Sequence, residues 1–309
     1  MTPGNKPRFL LTGATGFIGS HLAKRLVAAD AELHVIVRHG SDVSRLDSIR
    51  DRIGIHTHDG TMDGMTAIVS TVAPHLVFHL ASLFLSEHRP EDVDRLITSN
   101  VLFSSQLLEA MSLAGVRLLV NTGTSWQHYQ GKDYSPVNLY SATKQAFEAI
   151  IQYYVETAGT SVVTLKLFDS YGPDDWRPKL FKLLRSVAES GVPLAMSPGE
   201  QLIDLVYIDD VTAAFVVAAD RLLSGVVCEH ERYAVSSGSP VPLREVVAAF
   251  SAALGRDIPI QWGGRPYRPR EVMETWKGLD LVGWLPQISL AEGLQRVVEH
   301  SSLRKQERG

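Results

Sequence analysis

The 309-residue chain holds a single cysteine, Cys228. An intrachain disulfide is thereby excluded, and the thiol reads as a small buried apolar residue in a protein of a reducing compartment. An excess of one charge is missing too: 30 lysines and arginines stand against 34 aspartates and glutamates, a formal net charge of −4. That balance offers no general attraction for nucleic acid or for an anionic membrane. No uncharged apolar run reaches the ~18 residues of a spanning helix, and the opening MTPGNKPR lacks the apolar core of a signal peptide. Histidine, cysteine and carboxylates do not cluster at ligand spacing, which predicts no metal. There are no internal repeats and no low-complexity linker, and the terminal SSLRKQERG reads as a frayed, solvated tail. A soluble cytoplasmic protein is expected. Its 45% hydrophobic content can fill a substantial core, as one large domain or one large and one small.

What is present begins at residues 9–20, FLLTGATGFIGS, where an apolar run breaks into glycines spaced G-x-x-G-x-x-G. Gly13 makes a tight turn after a strand, and Gly16 lets the backbone approach a pyrophosphate. Gly19 lets the next helix pack close, its N-terminus facing the phosphates. A helical stripe of Ile18, Leu22 and Leu26 supplies the context that this motif requires. Strand-like and helix-like segments then alternate. Strands are expected at 9–12, 33–37, 53–57, 76–80, 117–121 and 162–167, and helices at 17–29, 89–114 and 141–157. The alternation predicts an α/β fold with a doubly wound parallel (Rossmann) sheet and its ligand at the carboxyl ends of the strands. Past Phe168, prolines and glycines cluster at 171–178, 192–199 and 262–269. We therefore expect a dinucleotide-binding domain over 1–168, to which 205–235 returns, reaching the sheet around 205–219. A smaller C-terminal substrate-binding portion is expected over 169–204 and 236–309.

The second strand ends in Arg38 and His39, where an NAD-preferring fold carries an acid about 20 residues beyond the glycines. An arginine there can pair with a 2′-phosphate, which predicts NADP(H). The alternative is a surface arginine with NAD bound. Asp59 and Gly60 follow the third strand, either as an acceptor for the adenine amino group or as a plain Asp-Gly turn. Tyr140 and Lys144 lie four apart at the start of a helix, on one face. The ammonium is expected to lower the phenol pKa and so make it a usable proton donor or acceptor. Asn121-Thr-Gly-Thr-Ser125 runs off the preceding strand with hydroxyls able to bond a substrate carbonyl oxygen.

With these motifs in view the chain resembles an extended short-chain dehydrogenase/reductase, the NAD-dependent epimerase/dehydratase family of nucleotide-sugar epimerases, dehydratases and ketoreductases. The resemblance runs through TGATGFIGSH, VFHLAS (residues 77–82), Asn100, YSATK, LKLFDSYGP, LVYIDDV and VGWLPQISLAEGL. NTGTSWQHY, NLYSATKQAFE and LKLFDSYGPDDWRPKLF are nearest in pattern to CDP-abequose synthase-like 4-ketoreductases. The resemblance implies that Phe17, Ile18, Leu80, Ala81, Ser82, Asn100 and Phe168 line the cofactor, together with Tyr140 and Lys144. It also implies a homodimer through a four-helix bundle. Leu96, Phe103, Leu107, Phe147, Ile150 and Ile151 serve either that interface or the sheet face.

Dehydratases of this family follow the catalytic hydroxyl with Asp-Glu, whereas the residues here are Ser125, Trp126 and Gln127, so dehydration loses its acid and base. That departure, with Arg38, favours net NADPH-dependent reduction of a 4-keto nucleotide-linked deoxysugar, with Tyr140 as proton donor. A 4-epimerase holding NAD tightly, and a non-catalytic dinucleotide sensor, are the alternatives. Ungapped alignment of the strand selects Thr124 as the hydroxyl, counting back from Tyr129 selects Ser125, and Thr124 is preferred. Arg177, Lys179, Arg265, Arg268 and Arg270 are the basic residues of the loop-rich portion. Arg177, Arg265 and Arg268 are the candidates for the substrate diphosphate. Trp126, Trp176 and Trp262 either line a sugar or base pocket or fill core, and His79 and His128 are candidate neighbours of the site.

Overall fold

The computed structural model describes residues 6–306, with side chains described as far as residue 300. Short β-branched and leucine-rich runs form β1 (Arg8–Thr12), β2 (Glu32–Arg38), β3 (Ile53–His58), β4 (Leu76–His79), β5 (Leu118–Thr124) and β6 (Ser161–Leu167). Between them lie α1 (Phe17–Ala28), α2 (Met62–Val72), α3 (Val93–Ile97), α4 (Phe103–Leu113) and α5 (Leu139–Ala158). The second half contributes β7 (Asp169–Tyr171), α6 (Leu180–Ser190), β8 (Leu194–Met196), β9 (Leu202–Ile203), β10 (Leu205–Tyr207), α7 (Ile208–Leu223) and β11 (His230–Val235). β12 (Val241–Pro242), α8 (Leu243–Leu254), β13 (Ile260–Trp262) and α9 (Leu290–Gln306) complete the described chain.

Seven strands make one parallel sheet in the order β11-β6-β5-β4-β1-β2-β3. Burial on both faces explains why its middle strands are nearly unbroken apolar runs; β4 is buried at every residue. One core packs α1 and α7 against one face, and a second packs α2, α4 and α5 against the other. A third core joins α6, α8 and α9 to β7 and β10. The strand order reverses between β1 and β4, so the loops leaving these two strands diverge and open a crevice.

Several expectations change. α2, capped by the Thr61 hydroxyl accepting from Gly64 N–H, went unread. The expected helix over 89–114 is α3, a π turn at Thr98–Leu102, and α4. Pro90 marks only its start, and no proline or glycine lies between Val93 and Leu113 to announce the π turn. β5 runs to Thr124 because Thr122, Gly123 and Thr124 keep pairing with Leu165, Lys166 and Leu167 of β6. The expected return of 205–219 takes another form: β10 pairs with β7, α7 covers the sheet, and β11 adds the strand. Cys228 is exposed rather than buried. α9 extends to Gln306, so the expected tail is helical there, and its last residues, 307–309, lie outside the described residues. Leu96, Leu107, Phe147 and Ile151 are fully buried within the chain, and Phe103 and Ile150 pack beside that core. These six residues thus serve the fold rather than an open surface. No helix among the described residues is long and apolar enough to cross a membrane.

Candidate active site

The glycine loop is built by close contact. Gly13 has φ +77°, and a Cβ on it would stand 2.6 Å from Ala81 N of the loop after β4. Gly16 N–H donates to Gly13 O at 3.0 Å, and a Cβ on Gly19 would collide with that same carbonyl. α1 opens with Gly16 as N-cap, with no side-chain cap and no acid in its first turn. Its first N–H groups are therefore left for an anion. A glycine cradle that any Cβ would fill, ending on an uncapped helix at the strand-order reversal, fits a dinucleotide pyrophosphate.

Gly13, Gly16, Phe17, Ile18, Gly19, Leu80, Ser82, Thr124, Tyr140, Lys144, Phe168 and Arg177 line one cleft of about 230 Å³. It adjoins a cavity of about 720 Å³ between the 169–182 segment, Met196, Leu243 and Arg268. Phe84, Trp126, Asp169, Ser170, Arg177 and Lys179 border both. The site thus runs from the glycine loop into a larger chamber formed by the second half of the chain.

α5 begins at Asn138, whose side chain accepts from Ser141 N–H at 3.0 Å while Asn138 N–H donates to Ser141 Oγ. That cap fixes the first turn and with it Tyr140, which meets Phe84 edge-on at 4.9 Å. The expected effect of Lys144 on the phenol is not what the structure holds. Burial pushes Tyr140 up to about 12, against a smaller opposing hydrogen bond from Ser82. Dehydration of the ring outweighs any pull from the ammonium. Lys144 is itself drawn down to about 8, chiefly by burial, with Glu148 raising it and Lys166 lowering it. Thr124 Oγ1 accepts from Trp126 N–H at 3.3 Å, and both Thr124 and Ser125 face the cleft. The two hydroxyls remain adjacent alternatives.

Other candidates divide. Arg38 leaves β2 exposed, its backbone N–H donating to Ser41 Oγ. Asp59 Oδ1 accepts from Thr61 N–H at 2.9 Å and from its hydroxyl at 2.7 Å, and Gly60 has φ +93°. Both residues belong to the turn into α2, outside the cleft lining. Asn100 is buried beneath the cleft rather than lining it. Its Oδ1 accepts from Leu83 N–H at 2.7 Å, and its Nδ2 donates to Leu83 O and Thr143 Oγ1, each at 3.0 Å. Ala81 sits behind the lining and donates its N–H to Thr12 Oγ1. Arg177 grips Asp175 with two bonds of 2.6 Å and lies over the Phe17 ring. Arg268 grips Glu271 and stands 5.7 Å over Trp126 at the cavity. Arg265 is exposed and borders neither cavity. His79 is wholly buried between Thr12 and Ser104 and held down to about 3 by burial, so it is a neutral tie. His128 stacks on Trp276 at 4.0 Å. Trp126 and Trp176 line the larger cavity, while Trp262 packs in the third core.

Sequence reasoning missed Phe84, Trp276, Glu148 and Lys166, and it did not foresee that Gln127 is buried against Glu148. Glu148 carried a signal, since it repeats the four-residue step from Tyr140 to Lys144. The others depend on contacts that no local pattern announces.

Residues 9–230 match the model of the NAD dependent epimerase/dehydratase family. CDP-abequose synthase of Salmonella muenchen is 23% identical over 295 residues, covering 94% of this chain and 97% of the relative. UDP-glucose 4-epimerase of Mycolicibacterium smegmatis is 27% identical over 316 residues, with 94% and 97% covered. Among solved structures, the UDP-glucose 4-epimerase of Thermus thermophilus in complex with NAD superposes with a TM-score of 0.80 at 26% identity. That likeness spans 95% of this chain and 98% of the other.

Proposed function

This chain belongs to the NAD dependent epimerase/dehydratase family, and from that premise we propose that it is a nucleotide-sugar oxidoreductase. Its reaction in this reading is NADPH-dependent reduction of the 4-keto group of a nucleotide-linked deoxysugar. The observation that carries the reading is one cleft, lined by Tyr140, Lys144 and the two hydroxyls, that joins the glycine cradle to the larger cavity. Gly13, Gly16, Gly19 and the start of α1 would hold the dinucleotide, with Arg38 on the 2′-phosphate. When bound, that cofactor supplies a hydride for the carbonyl carbon.

Tyr140 gives its proton to the developing alkoxide, and a phenol held near 12 keeps that proton through neutral pH. Thr124, or Ser125, donates a hydrogen bond to the same oxygen. Lys144 steadies the phenolate left behind. Arg177, Arg268 and Lys179 stand where a diphosphate would enter, each now on a carboxylate that an incoming anion would replace. Whichever hydroxyl acts, the two residues after it come from Ser125, Trp126 and Gln127, none of them an acid, and Gln127 is fully buried and bonded to Thr124, Gln145 and Glu148.

A 4-epimerase that keeps NAD is the second reading, favoured by the likeness to an epimerase complexed with NAD. Purified protein distinguishes the two. Exchangeable NADPH, consumed as nucleotide 4-keto-sugars are added, supports reduction. NAD retained through purification with no net oxidation supports epimerisation. The exposed thiol of Cys228 suits a reducing, cytoplasmic setting, and the working assembly is a homodimer.

A further inference from the structure

Behind the candidate catalytic face lies a buried charge cluster that the reaction leaves unused. Glu148 follows Lys144 by one turn on α5, and its side chain is 1% exposed, against 2% for Lys166 of β6. Lys166 Nζ donates to Glu148 Oε1 at 2.6 Å, and Arg232 Nε of β11 donates to Oε2 at 3.2 Å. Gln127 Nε2 donates to Glu148 Oε1 at 2.8 Å, while Gln127 Oε1 accepts from Thr124 N–H at 3.0 Å. Gly123 lets this happen: a Cβ there would stand 2.8 Å from Lys166 Cδ and 3.1 Å from Gln127 Oε1.

Stability alone is a poor reason for such a cluster. Desolvating a buried pair costs about as much as the attraction returns, and apolar residues fill such space as well. The distribution of charge is more telling. One carboxylate faces three cations: Lys144 on its own helix, Lys166 from β6 and Arg232 from β11. His79 of β4 and His230 of β11 are neutral, since burial holds both down to about 3. β5 and the turn after it contribute uncharged Asn121, Thr122, Thr124 and Gln127, together with His128, which burial and then Lys166 hold below the usual imidazole range while Glu148 pulls it up. Glu109 of α4 is engaged by Tyr154, far along α5. Tyr140 shares the face, and Asp169, Lys179 and Arg177 lie across the cleft, with Asp169 paired to Lys179 and Arg177 to Asp175.

Resting on the Tyr140–Lys144 reading of the site, we propose that Glu148 and Lys166 are positioning residues that set the charge of Lys144. Glu148 keeps the proton on it, Lys166 opposes that, and Gln127 ties the pair to the hydroxyl-bearing turn. The opposite signs are already visible in the causes that act on Lys144, where Glu148 works upward and Lys166 downward.

Lys144 can be titrated without turnover, by following its acetylation with acetic anhydride against pH in the full chain and locating the site by peptide mass spectrometry. A neighbouring charge moves a titration by roughly one unit or more. Lys166→Met should move the labelling midpoint to higher pH and Glu148→Gln to lower pH, and the double variant should lie between them. The alkaline limb of kcat should follow the same order in whichever turnover the enzyme shows. Midpoints that stay fixed, or move the same way in variants that melt cooperatively, overturn the proposal. If Glu148→Gln does not fold, Lys166→Met decides alone, because Arg232 and Gln127 still hold its carboxylate partner: an upward move supports the proposal and a fixed midpoint overturns it. Ordered midpoints in a protein without keto-sugar turnover support this inference and overturn the functional reading.

Discussion

Arg38 stands at the carboxyl end of β2 with its guanidinium exposed, on the strand next to the one that feeds the glycine loop. A fixed cation there attracts a 2′-phosphate, and an acid would repel it. Arg38→Asp should weaken NADPH binding by about tenfold or more while sparing NAD, as read by nicotinamide fluorescence titration. Unchanged NADPH affinity would place phosphate recognition on another residue. Tyr140 and Lys144 make a second residue-scale case. The phenol holds its proton to about 12 and the ammonium to about 8, so the first group lost on raising the pH is the lysine charge. Turnover should therefore be flat near neutrality and fall as pH passes about 8, a limb that Tyr140 alone would not produce. Tyr140→Phe should keep cofactor binding and lose ~10²–10⁴ in rate; near-normal turnover on a verified keto-sugar would remove Tyr140 from the chemistry. Comparing Thr124→Val with Ser125→Ala assigns the hydroxyl, since the catalytic one lowers turnover and spares cofactor affinity.

At the scale of elements, the π turn between α3 and α4 has one evident use. Its extra residue turns Asn100 inward, where the side chain bonds Leu83 on both backbone groups and Thr143 of α5. The loop after β4 and the catalytic helix are thus held by one amide. Asn100→Ala strands the Leu83 N–H and should cost about 1–3 kcal/mol, measurable by urea melts; a change within error would mean that water replaces the amide. Such a turn is illegible in sequence because its cause is a contact with a residue seventeen positions away. β1, the glycine loop, α1 and the first turn of α5 were legible because period, glycine spacing and caps are local signals. Arg265 and Arg268 were not separable, for both sit in the same proline-rich run and only folding turns one toward the cavity. The rise of the Tyr140 phenol was hidden as well, since proximity to a lysine can be read from spacing and desolvation cannot. Glu148 and Lys166 meet only because β6 lies beside β5 and Gly123 leaves room between them.

For the whole molecule the open question is what covers α3, the π turn and α5. Leu96, Phe103, Leu107, Phe147, Ile150 and Ile151, for which an interface and the sheet face were the alternatives, are spent on the core, yet Val93, Ile97, Leu102 and Tyr153 on the same helices are 37%, 43%, 50% and 60% exposed. Val93, Ile97 and Leu102 fall one per turn, the last step being five residues because the π turn intervenes. They form an apolar stripe beside α5 rather than scattered exposures. A second copy related by a two-fold axis would bring two such stripes and two α5 helices together, and a stable interface of this kind buries about 1,200–2,000 Å² in total. Light scattering at micromolar concentration should give twice the chain mass. Introducing charge at half-exposed positions costs the fold little but leaves unpaired charges in a closed interface. Ile97→Asp with Leu102→Asp should therefore halve the mass while the thermal transition stays cooperative. A wild-type protein that scatters as a single chain would overturn the dimer and leave the stripe as ordinary surface.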